Sequence, residues 1–563
     1  MKTILTTLNA KYIHTSLALR WLYVANKDRF DISFREFVIR DDVHKIANDL
    51  LALNPDVIGI GIYIWNVEKS MELSSLLKSR KPKLILIAGG LEVSYEPEHF
   101  LNTGTIDFVV SGEGEFVLGE LLSTIANNQY GNHSRINIES VSYPHHINKM
   151  QAKVSLPKLA GLPSPYMLKE DHEDRKNRIV YFEASRGCPY QCTYCLSSLE
   201  KGVRYFPLEY IFQNLKYLIG SDARQVKFLD RTFNLNHEHA CAIFDFLIAT
   251  YKPGLSFQFE MIAELLTDEM IYQLNEMLPP HYFRFEIGVQ STCEPTNQAI
   301  NRKQRFDILA ANIQKLVDGQ KVDLHLDLIA GLPYESFERF KKSFNEVFAL
   351  RAKEVQLGFL KMLRGTSIRR DAGLFGYQFN QQAPYQIICN NYLTAGELKR
   401  IHTVEQTLQI YWNSGRFVRT FTALFDIAYK GRYFELFDEI GQYHETLPSS
   451  GRNFQLEDIF LHLYKFLLSN GIDLFRELRE DYYSCFKIRT RGFWENRMEK
   501  KKRNQLRYQI GNDKKFLRTY QLTRKIIEKQ TAIDAIDEKN LLLTVFCSDG
   551  SRMNPLFLNY PIG

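Results

Sequence analysis

Long apolar runs alternate with stretches of helical periodicity over the first 130 residues. Unbroken apolar runs predict buried strands, and apolar positions spaced three or four residues apart predict the helices between them. Strands that are apolar throughout are typical of a doubly wound parallel sheet with helices on both faces, and its ligands bind at the carboxyl ends of the strands. The predicted strands cover 2–9, 31–39, 56–64, 83–90 and 107–114, and the predicted helices cover 16–27, 44–53, 67–80 and 115–128.

A second alternation of strands and helices follows a segment rich in Asn, His, Pro and Lys. Six strand and helix units in sequence predict a parallel, partial (β/α)6 barrel whose working end is again the carboxyl rim of the strands. The remainder has mainly helical patterns and one short strand near its end. The sequence therefore predicts a Rossmann-like α/β domain, a linker, a partial barrel and a mainly helical extension, over 1–130, 131–175, 176–400 and 401–563.

Composition narrows the class of protein without naming its function. The chain has 563 residues, of which 45% are hydrophobic and 24% charged, and this is ordinary for globular domains. The net charge of +6 is small for this length, so nothing points to a nucleic-acid partner. Asn9, Lys11 and His14 interrupt the apolar start of the chain, so we expect neither a signal peptide nor a membrane span, and a cytoplasmic location.

Three of the eight cysteines lie within eight residues, in the segment RGCPYQCTYC at 186–195. A structural zinc site needs four Cys or His ligands, and no second pair lies nearby. Three thiolates instead leave one iron of a [4Fe–4S] cluster without a protein ligand, and that iron can bind a substrate or cofactor. The spacing therefore indicates an iron–sulfur cluster at Cys188, Cys192 and Cys195.

This cysteine segment, placed after a strand, resembles the cluster motif of the radical S-adenosylmethionine (SAM) enzymes. Two later segments agree in order: FRFEIGVQST at 283–292 is similar to the fourth strand of that family, and DLIAGLPYES at 327–336 to the fifth. The resemblance implies that the open iron binds SAM and that an electron from the cluster cleaves SAM to a 5′-deoxyadenosyl radical. It also implies a reducing partner such as flavodoxin or ferredoxin.

Carried over position by position, the resemblance assigns roles to single residues. It makes Cys188, Cys192 and Cys195 the cluster ligands and implies that a further set of residues contacts SAM. That set comprises Tyr194 beside the adenine, Asp230 at the methionine amine, Gln290, Ser291 and Arg302 at the ribose or carboxylate, and Ile329, Gly331 and Pro333 around the adenine pocket.

The amino-terminal domain resembles the cobalamin-binding domain that precedes the barrel in one subgroup of these enzymes. The closest segments are GGLEVSYEPE at 89–98 and VVSGEGEFVLGEL at 109–121. The loop with His14 lacks the flanking Asp and Gly of proteins that bind cobalt through histidine, so His14 is not expected to be a ligand. The domain lacks the extra cluster cysteines of the RNA methylthiotransferases, which argues against that branch. The expected cobalamin-binding residues are Trp65, Asn66, Gly89, Gly90 and Glu113.

We therefore expect a radical SAM enzyme with a [4Fe–4S] cluster and cobalamin that methylates or rearranges an unidentified substrate. Two alternatives stay open at this point. One is a cobalamin-free radical SAM enzyme whose amino-terminal domain is vestigial, and the other is a non-catalytic iron–sulfur electron-transfer protein. Cooperation between the two domains requires their carboxyl-terminal rims to face one another across a shared space. We expect the five cobalamin-binding residues of the first domain to lie across this cleft from Cys195, Asp230 and Gln290.

Overall fold

A computed structural model of the chain describes residues 1–127, 136–200, 202–447, 455–486, 498–546 and 555–561. The chain divides into two compact units. The first contains 1–343, 350–352 and 356–398, and the second contains 344–349, 353–355 and 399–563. The predicted boundary at 130 lies outside the described residues, and the predicted four-part division stays a prediction.

The first unit begins with a six-stranded sheet in the order β2-β1-β3-β4-β5-β6, in which only the β5–β6 pair is antiparallel. All five strands and four helices predicted here are present, although β5 is shorter than expected. Its elements are β1 (Lys2–Asn9), α1 (Leu17–Asn26), β2 (Asp31–Val38), α2 (Val43–Ala52), β3 (Val57–Gly61), α3 (Val67–Arg80), β4 (Ile85–Gly89), α4 (Leu91–Ser94), α5 (Pro97–Leu101), β5 (Phe108–Val110), α6 (Val117–Ala126) and β6 (Val141–Ser142).

Helices cover both faces of this sheet, and its strands β3, β4 and β5 are apolar throughout. Ile4 packs into a core with α2, α3 and α5, whereas its neighbour Leu5 packs into a second core with α1 and α6. Alternate residues of a strand point to opposite faces, so a strand covered on both sides must be apolar at every position.

The second sheet of the unit is parallel and open, with the strand order β14-β13-β12-β11-β10-β7. It is the expected partial barrel. The elements of this part are α7 (Leu156–Ala160), β7 (Val180–Phe182), β8 (Ser185–Cys188), β9 (Gly202–Tyr205), α8 (Leu208–Gly220), β10 (Gln225–Phe228), α9 (His237–Ala249), β11 (Ser256–Met261), α10 (Asp268–Met277), β12 (Phe283–Gln290), α11 (Glu294–Ala299), α12 (Phe306–Gly319), β13 (Asp323–Ala330), α13 (Phe337–Phe348), β14 (Glu354–Phe359), α14 (Ser367–Arg370), β15 (Gln378–Phe379) and β16 (Ile387–Cys389).

An aromatic core fills the space between this sheet and its helices. The ring of Phe259 on β11 lies 4.6 Å from that of Phe228 on β10 and 5.3 Å from that of Phe244 on α9, measured between centroids. All three side chains are buried. Only one face of the sheet takes part, since along β12 buried and half-buried residues alternate strictly.

The sequence did not predict the two-stranded hairpin of β8 and β9. These strands pair antiparallel and bring Cys188 opposite Gly202. Gly187 has φ of 99°, and a Cβ there would lie 2.1 Å from the carbonyl oxygen of Gly202. A glycine is therefore required immediately before the first cysteine.

The second unit is mainly helical, as expected, and it also contains an antiparallel sheet that the single predicted strand did not reveal. In this sheet β18 lies between β17 and β19. The elements of the unit are α15 (Ala395–Tyr411), which starts in the first unit, α16 (Val418–Ile427), α17 (Tyr433–Thr446), α18 (Leu456–Ser469), α19 (Phe475–Phe486), α20 (Lys500–Asn512), α21 (Lys514–Thr519), α22 (Arg524–Lys529), β17 (Thr531–Ala535), β18 (Asn540–Val545) and β19 (Leu556–Pro561).

Removing one ring from the aromatic core should destabilise the barrel strongly. We expect Phe259→Ala to lower the free energy of unfolding by about 3–5 kcal/mol, because the surrounding rings cannot close the cavity it leaves. Tyr272→Ala is the matched control, since Tyr272 is 70% exposed on α10. Urea unfolding followed by circular dichroism measures both variants, and equal destabilisation would contradict the aromatic core.

Candidate functional site

The cysteine segment is a loop held at the carboxyl end of the second sheet. Cys188 ends β8, and hydrogen bonds from two other segments fix the loop that follows. The amide of Thr193 donates to the carbonyl of Ile300 at 3.0 Å, and the amide of Ile368 donates to the carbonyl of Thr193 at 3.1 Å. The side-chain amide of Asn301 donates to the carbonyl of Gln191 at 3.0 Å. Contacts with these two other segments therefore hold the cysteine loop in place.

Two of the three loop thiols, Cys188 and Cys192, lie in a desolvating environment. Burial raises the pKa of Cys188 and Cys192, and the charges of the neighbouring thiolates raise both further. Within the described part of the chain, no three Cys, His, Asp or Glu side chains converge on a point where one metal ion could bind. A [4Fe–4S] cluster places each thiolate on a different iron, so three nearby but separated thiols fit a cluster better than a single ion.

Arg302 and Tyr194 lie against the cysteine loop. The guanidinium of Arg302 donates to the carbonyl of Gly288 and, at 2.9 Å, to the side chain of Gln304. It also lies beside the Cys192 thiol, where its charge lowers the pKa that burial raises. Tyr194 contacts Cys192 in the same corner. Both residues are thus next to a predicted cluster ligand, and their predicted contacts with SAM stay predictions.

Gln290 is placed to accept a hydrogen bond from a ligand. It ends β12 with φ of 67°, and its Oε1 atom is buried without a hydrogen-bond partner. A Cβ on Gly288 would lie 2.1 Å from the Gln290 amide, so the glycine makes room for this side chain. A buried acceptor without a donor is costly, and a bound ligand would remove that cost.

Ser291 and Asp230, in contrast, are occupied by the protein. The buried Ser291 hydroxyl donates to Glu335 at 2.6 Å and accepts from the amide of Cys293 at 3.0 Å. Asp230 accepts from the amide of Ala184 at 3.0 Å and from the hydroxyl of Ser185 at 2.6 Å. Both side chains hold strand ends at the rim, and their predicted contacts with SAM stay predictions.

The predicted adenine pocket residues follow β13. Ile329 is half-buried, whereas Gly331 and Pro333 are buried. Gly331 has φ of 93°, and a Cβ there would lie 1.9 Å from the Ile387 side chain, so no larger residue fits. Its carbonyl accepts from the Tyr377 hydroxyl at 2.8 Å. The turn is closely packed, and its contact with an adenine stays a prediction.

A cavity of about 610 Å³ lies between the carboxyl edges of the two sheets. From the first sheet, Trp65, Gly89, Gly90 and Glu113 line it, as do apolar side chains of β1, β3, β4 and α1. From the barrel it is lined by Tyr181, Glu183, Ser185, Arg186, Gly187, Leu229 and Arg231. The two rims therefore face one another. Cys195, Asp230 and Gln290, which were expected opposite the first sheet, are not among the lining residues.

Of the predicted cobalamin-binding residues, Trp65 and Gly89 are open to the cavity whereas Asn66 is not. Trp65 is 49% exposed and stacks on Tyr63 at 4.6 Å. A Cβ on Gly89 would meet only one atom within 4 Å, a carbonyl oxygen at 3.8 Å, so the wall is open there. Asn66 is buried and donates to the carbonyls of Leu8 and Gly61 at 3.0 and 3.1 Å. Its side chain holds the loop after β3.

His14 lines the same cavity but already has a partner. Its Nδ1 atom lies 2.7 Å from the hydroxyl of Tyr181 on β7, and its backbone pairs with Ile179. The contact joins the first sheet to the barrel, and the expectation that His14 is not a cobalt ligand stays a prediction.

A buried network of charges joins the two sheets beside the cavity. Arg186 lies 2.7 Å from Glu115 and 2.9 Å from Glu183, and Arg204 pairs with Glu113. The Arg186 and Glu115 side chains are 12% and 7% exposed. The sequence analysis missed Glu115, Glu183, Arg186 and Arg204, because their pairing depends on contacts between distant segments. The sequence GEGE was the one local signal for a charged loop at this rim.

Three family models match consecutive parts of the chain. One described as a B12 binding domain matches 4–122, and one described as the radical SAM superfamily matches 182–347. A model described as a protein of unknown function, DUF4080, matches 373–544. None of the described helices is long and apolar enough to cross a membrane.

Two curated relatives are methyltransferases. The chain is 26% identical over 317 residues to a 2-(S-pantetheinyl)-carbapenam-3-carboxylate methyltransferase of Streptantibioticus cattleyicolor, covering 54% of this chain and 46% of the relative. It is 25% identical over 322 residues to the cobalamin-dependent radical SAM methyltransferase TokK of Streptomyces tokunonensis, covering 53% and 45%. The chain therefore spans less than half the length of each.

Solved structures with low sequence identity share the fold. The cobalamin-dependent radical SAM enzyme OxsB, with aqua-cobalamin and SAM bound, aligns with a TM-score of 0.61 at 15% identity over 84% of this chain and 76% of that one. The radical SAM methyltransferase TsrM of Kitasatospora setae, with cobalamin and a [4Fe–4S] cluster bound, aligns with a TM-score of 0.55 at 15% identity, covering 68% and 82%.

The buried Asp230 should make stability depend on pH. Burial raises its pKa from 3.8 to about 7, so between these values the folded protein binds a proton that the unfolded chain releases. Stability should therefore fall as the pH rises through this range, by up to about 1 kcal/mol per pH unit. Asp230→Asn cannot titrate, so its stability relative to wild type should grow over the same range.

Urea unfolding of the apo-protein at several pH values measures this difference. Asp49→Asn, which changes an exposed carboxylate on α2, is the control and should parallel the wild type. If the free energies of unfolding of Asp230→Asn and wild type differed by the same amount at every pH, the raised pKa of Asp230 would be contradicted.

Proposed function

We propose that this chain, which belongs to the radical SAM proteins with an amino-terminal B12-binding domain, is an enzyme that uses both domains on one substrate. The observation that carries the proposal is the cavity, which the carboxyl edges of both sheets line together. The matched family models confirm the expected fold and the expected cofactors, a [4Fe–4S] cluster, SAM and cobalamin. The activity and the substrate are proposals.

Residues at the carboxyl rim of the barrel would hold the cluster and SAM and would exclude water from them. Bound cofactors of this family supply an electron to SAM, a 5′-deoxyadenosyl radical and, from cobalamin, a transferable methyl group. Cys188, Cys192 and Cys195 would hold the cluster. Gln290 would accept a hydrogen bond from SAM, and Tyr194 and Arg302 would cover the cluster loop and exclude water.

The first sheet supplies the opposite wall. Trp65, Gly89 and Gly90 would hold the cobalamin at the ends of β3 and β4, where the glycines let a ligand approach the backbone. Glu113 accepts hydrogen bonds from Arg204 and, at 2.6 Å, from the amide of Val154, so it would shape the rim rather than accept a hydrogen bond from the ligand. The residues present therefore fit a large group bound without a protein histidine.

We place methyl transfer ahead of rearrangement, because the two curated relatives above are methyltransferases. A protein that carries only electrons would have no use for a second cofactor domain facing the cluster loop.

We further propose a cytoplasmic location and a reductant such as flavodoxin or ferredoxin. The role of residues 401–563 is not assigned.

Loss of any cluster thiolate should abolish both cluster binding and SAM cleavage. We expect Cys188→Ala, Cys192→Ala and Cys195→Ala each to lose the iron–sulfur absorbance after anaerobic reconstitution and to reduce SAM cleavage at least about a thousandfold. Cys241→Ala, which changes a cysteine on α9 outside the loop, should keep both. Full iron content and cleavage in any loop variant would refute the assignment.

Cobalamin should bind without a histidine from the protein. We expect reconstituted protein to retain cobalamin, and His14→Ala to leave the spectrum of the cobalt(II) form unchanged, because the loop around His14 lacks the flanking Asp and Gly of proteins that bind cobalt through histidine. Paramagnetic resonance measures this directly. Nitrogen splitting that disappears in His14→Ala would show a histidine ligand, and failure to bind cobalamin at all would favour the vestigial-domain alternative.

A further inference from the structure

The small total charge of the chain hides a concentration of positive charge in the second unit. The segment 500–529, which contains α20, α21 and α22, has eleven Lys and Arg residues and only two acidic residues. Its net charge is +9, whereas that of the whole chain is +6, so the remaining residues together have a net charge of −3. Positive charge concentrated in one segment is typical of a surface that binds a polyanion.

The three helices present their cations on the side turned away from the β17–β19 sheet. Leu506 and Ile510 of α20 and Ile527 of α22 pack into one core with the three strands, and Phe516 of α21 packs against the same core. The apolar sides of the helices therefore face the sheet. Nine of the eleven cations have exposed side chains. We call these nine, the exposed Lys and Arg residues within 500–529, the basic surface.

The two acidic residues of the segment neutralise little of this charge. Asp513 accepts from the amide of Phe516 at 2.9 Å, where it caps α21, and from the hydroxyl of Tyr560 at 3.2 Å. Glu528 pairs with Arg524 at 2.8 Å. In the part of the chain that the structure describes, no lysine of the basic surface forms an ion pair with a carboxylate. Crowded like charges repel one another, so a bound polyanion would relieve that repulsion.

An aromatic ring is exposed within the basic surface. Tyr508 on α20 is 64% exposed. The guanidinium of Arg524 lies 5.4 Å from the centre of the Tyr508 ring and donates to the side chain of Asn512 at 3.2 Å, one turn further along α20. These contacts hold a planar cation beside the ring. Exposed rings among cations are the groups on which the bases of a single-stranded nucleic acid stack.

We propose that the basic surface binds single-stranded nucleic acid, with its lysines along the phosphates and a base stacked on Tyr508. Lysines that neutralise phosphates release counterions, and this release supplies affinity without regard to sequence. Lys is depleted in protein–protein interfaces, whereas phosphates are its usual partners in nucleic-acid complexes, so a lysine-rich surface favours nucleic acid over an acidic protein. The surface lies entirely in the second unit, and its binding needs neither the cluster nor cobalamin.

A nucleic acid and a polyanion without bases test the identity of the partner. Fluorescence anisotropy measures how labelled oligoadenylate RNA of about twelve nucleotides, and labelled poly-L-glutamate of equal charge, bind to the reconstituted full-length protein. We expect the RNA to bind at least about fivefold more tightly, because polyglutamate has no bases to stack. Raising the salt from about 50 mM to about 200 mM should weaken RNA binding about tenfold or more.

Neutralising four lysines ties the binding to the basic surface. The variant combines Lys514→Gln, Lys515→Gln, Lys525→Gln and Lys529→Gln, and it should bind RNA at least about tenfold more weakly with a shallower salt dependence. The control makes the same change in net charge at four exposed lysines elsewhere, and it should bind RNA like wild type. It combines Lys45→Gln, Lys83→Gln, Lys216→Gln and Lys399→Gln.

Two changes at one position test the stacked base. Tyr508→Ala should weaken RNA binding at least about fivefold and leave polyglutamate binding unchanged, whereas Tyr508→Phe keeps the ring and should bind RNA like wild type. Tyr272→Ala removes an equally exposed ring from α10 and is the control.

Equal binding of RNA and polyglutamate would indicate a surface for acidic proteins and would overturn the inference. It would also be overturned if the two four-lysine variants bound RNA equally well, or if Tyr508→Ala bound RNA as tightly as Tyr508→Phe.

Discussion

The placement of Arg186 is the constraint on which the rest of the site depends. This guanidinium is two residues from Cys188 and is nearly enclosed by Glu113, Glu115 and Glu183. A buried charge is strongly destabilising unless it is paired, so Arg186 must remain among these carboxylates. Two of them belong to the loop after β5 of the first sheet. The segment that starts the cysteine loop is therefore fixed against the B12-binding domain by electrostatics.

The two sheets present different surfaces to the site. The first sheet is covered by helices on both faces and presents only its carboxyl edge, where Trp65 and the Gly89–Gly90 turn lie. The barrel sheet packs one face into an aromatic core and leaves the other polar. The edges of the two sheets line one cavity together.

Local features of the sequence predicted the parts that depend on local chemistry. The apolar periodicity located the strands and helices of the first unit, since a strand buried on both faces must be hydrophobic throughout. The spacing of Cys188, Cys192 and Cys195 indicated the cluster, because three thiols within eight residues can reach one cluster. The Oε1 atom of Gln290, which has no hydrogen-bond partner, lies at the strand end where the family resemblance implies a contact with SAM.

What the sequence did not reveal depends on contacts between distant segments. Asn66, Asp230 and Ser291 stand at strand ends, as ligand-binding residues do, but backbone and side-chain groups elsewhere occupy them. The pairing of Arg186 and Arg204 with the loop after β5 has no local pattern. The polar face of the barrel sheet did have one, since polar residues alternate with apolar ones in QFEM on β11 and FRFEIG on β12 but not in β3, β4 or β5 of the first sheet.

The central claim is that the start of the cysteine loop, at Arg186 and Gly187, and the B12-binding edge line one cavity. The most direct measurement is paramagnetic resonance of protein loaded with both the reduced [4Fe–4S] cluster and cobalt(II) cobalamin, compared with protein loaded with each alone. If both groups share the cavity, the spins interact, and the doubly loaded spectrum should be broadened or split relative to the sum of the single spectra. A spectrum equal to that sum, at full occupancy of both cofactors, would contradict the account.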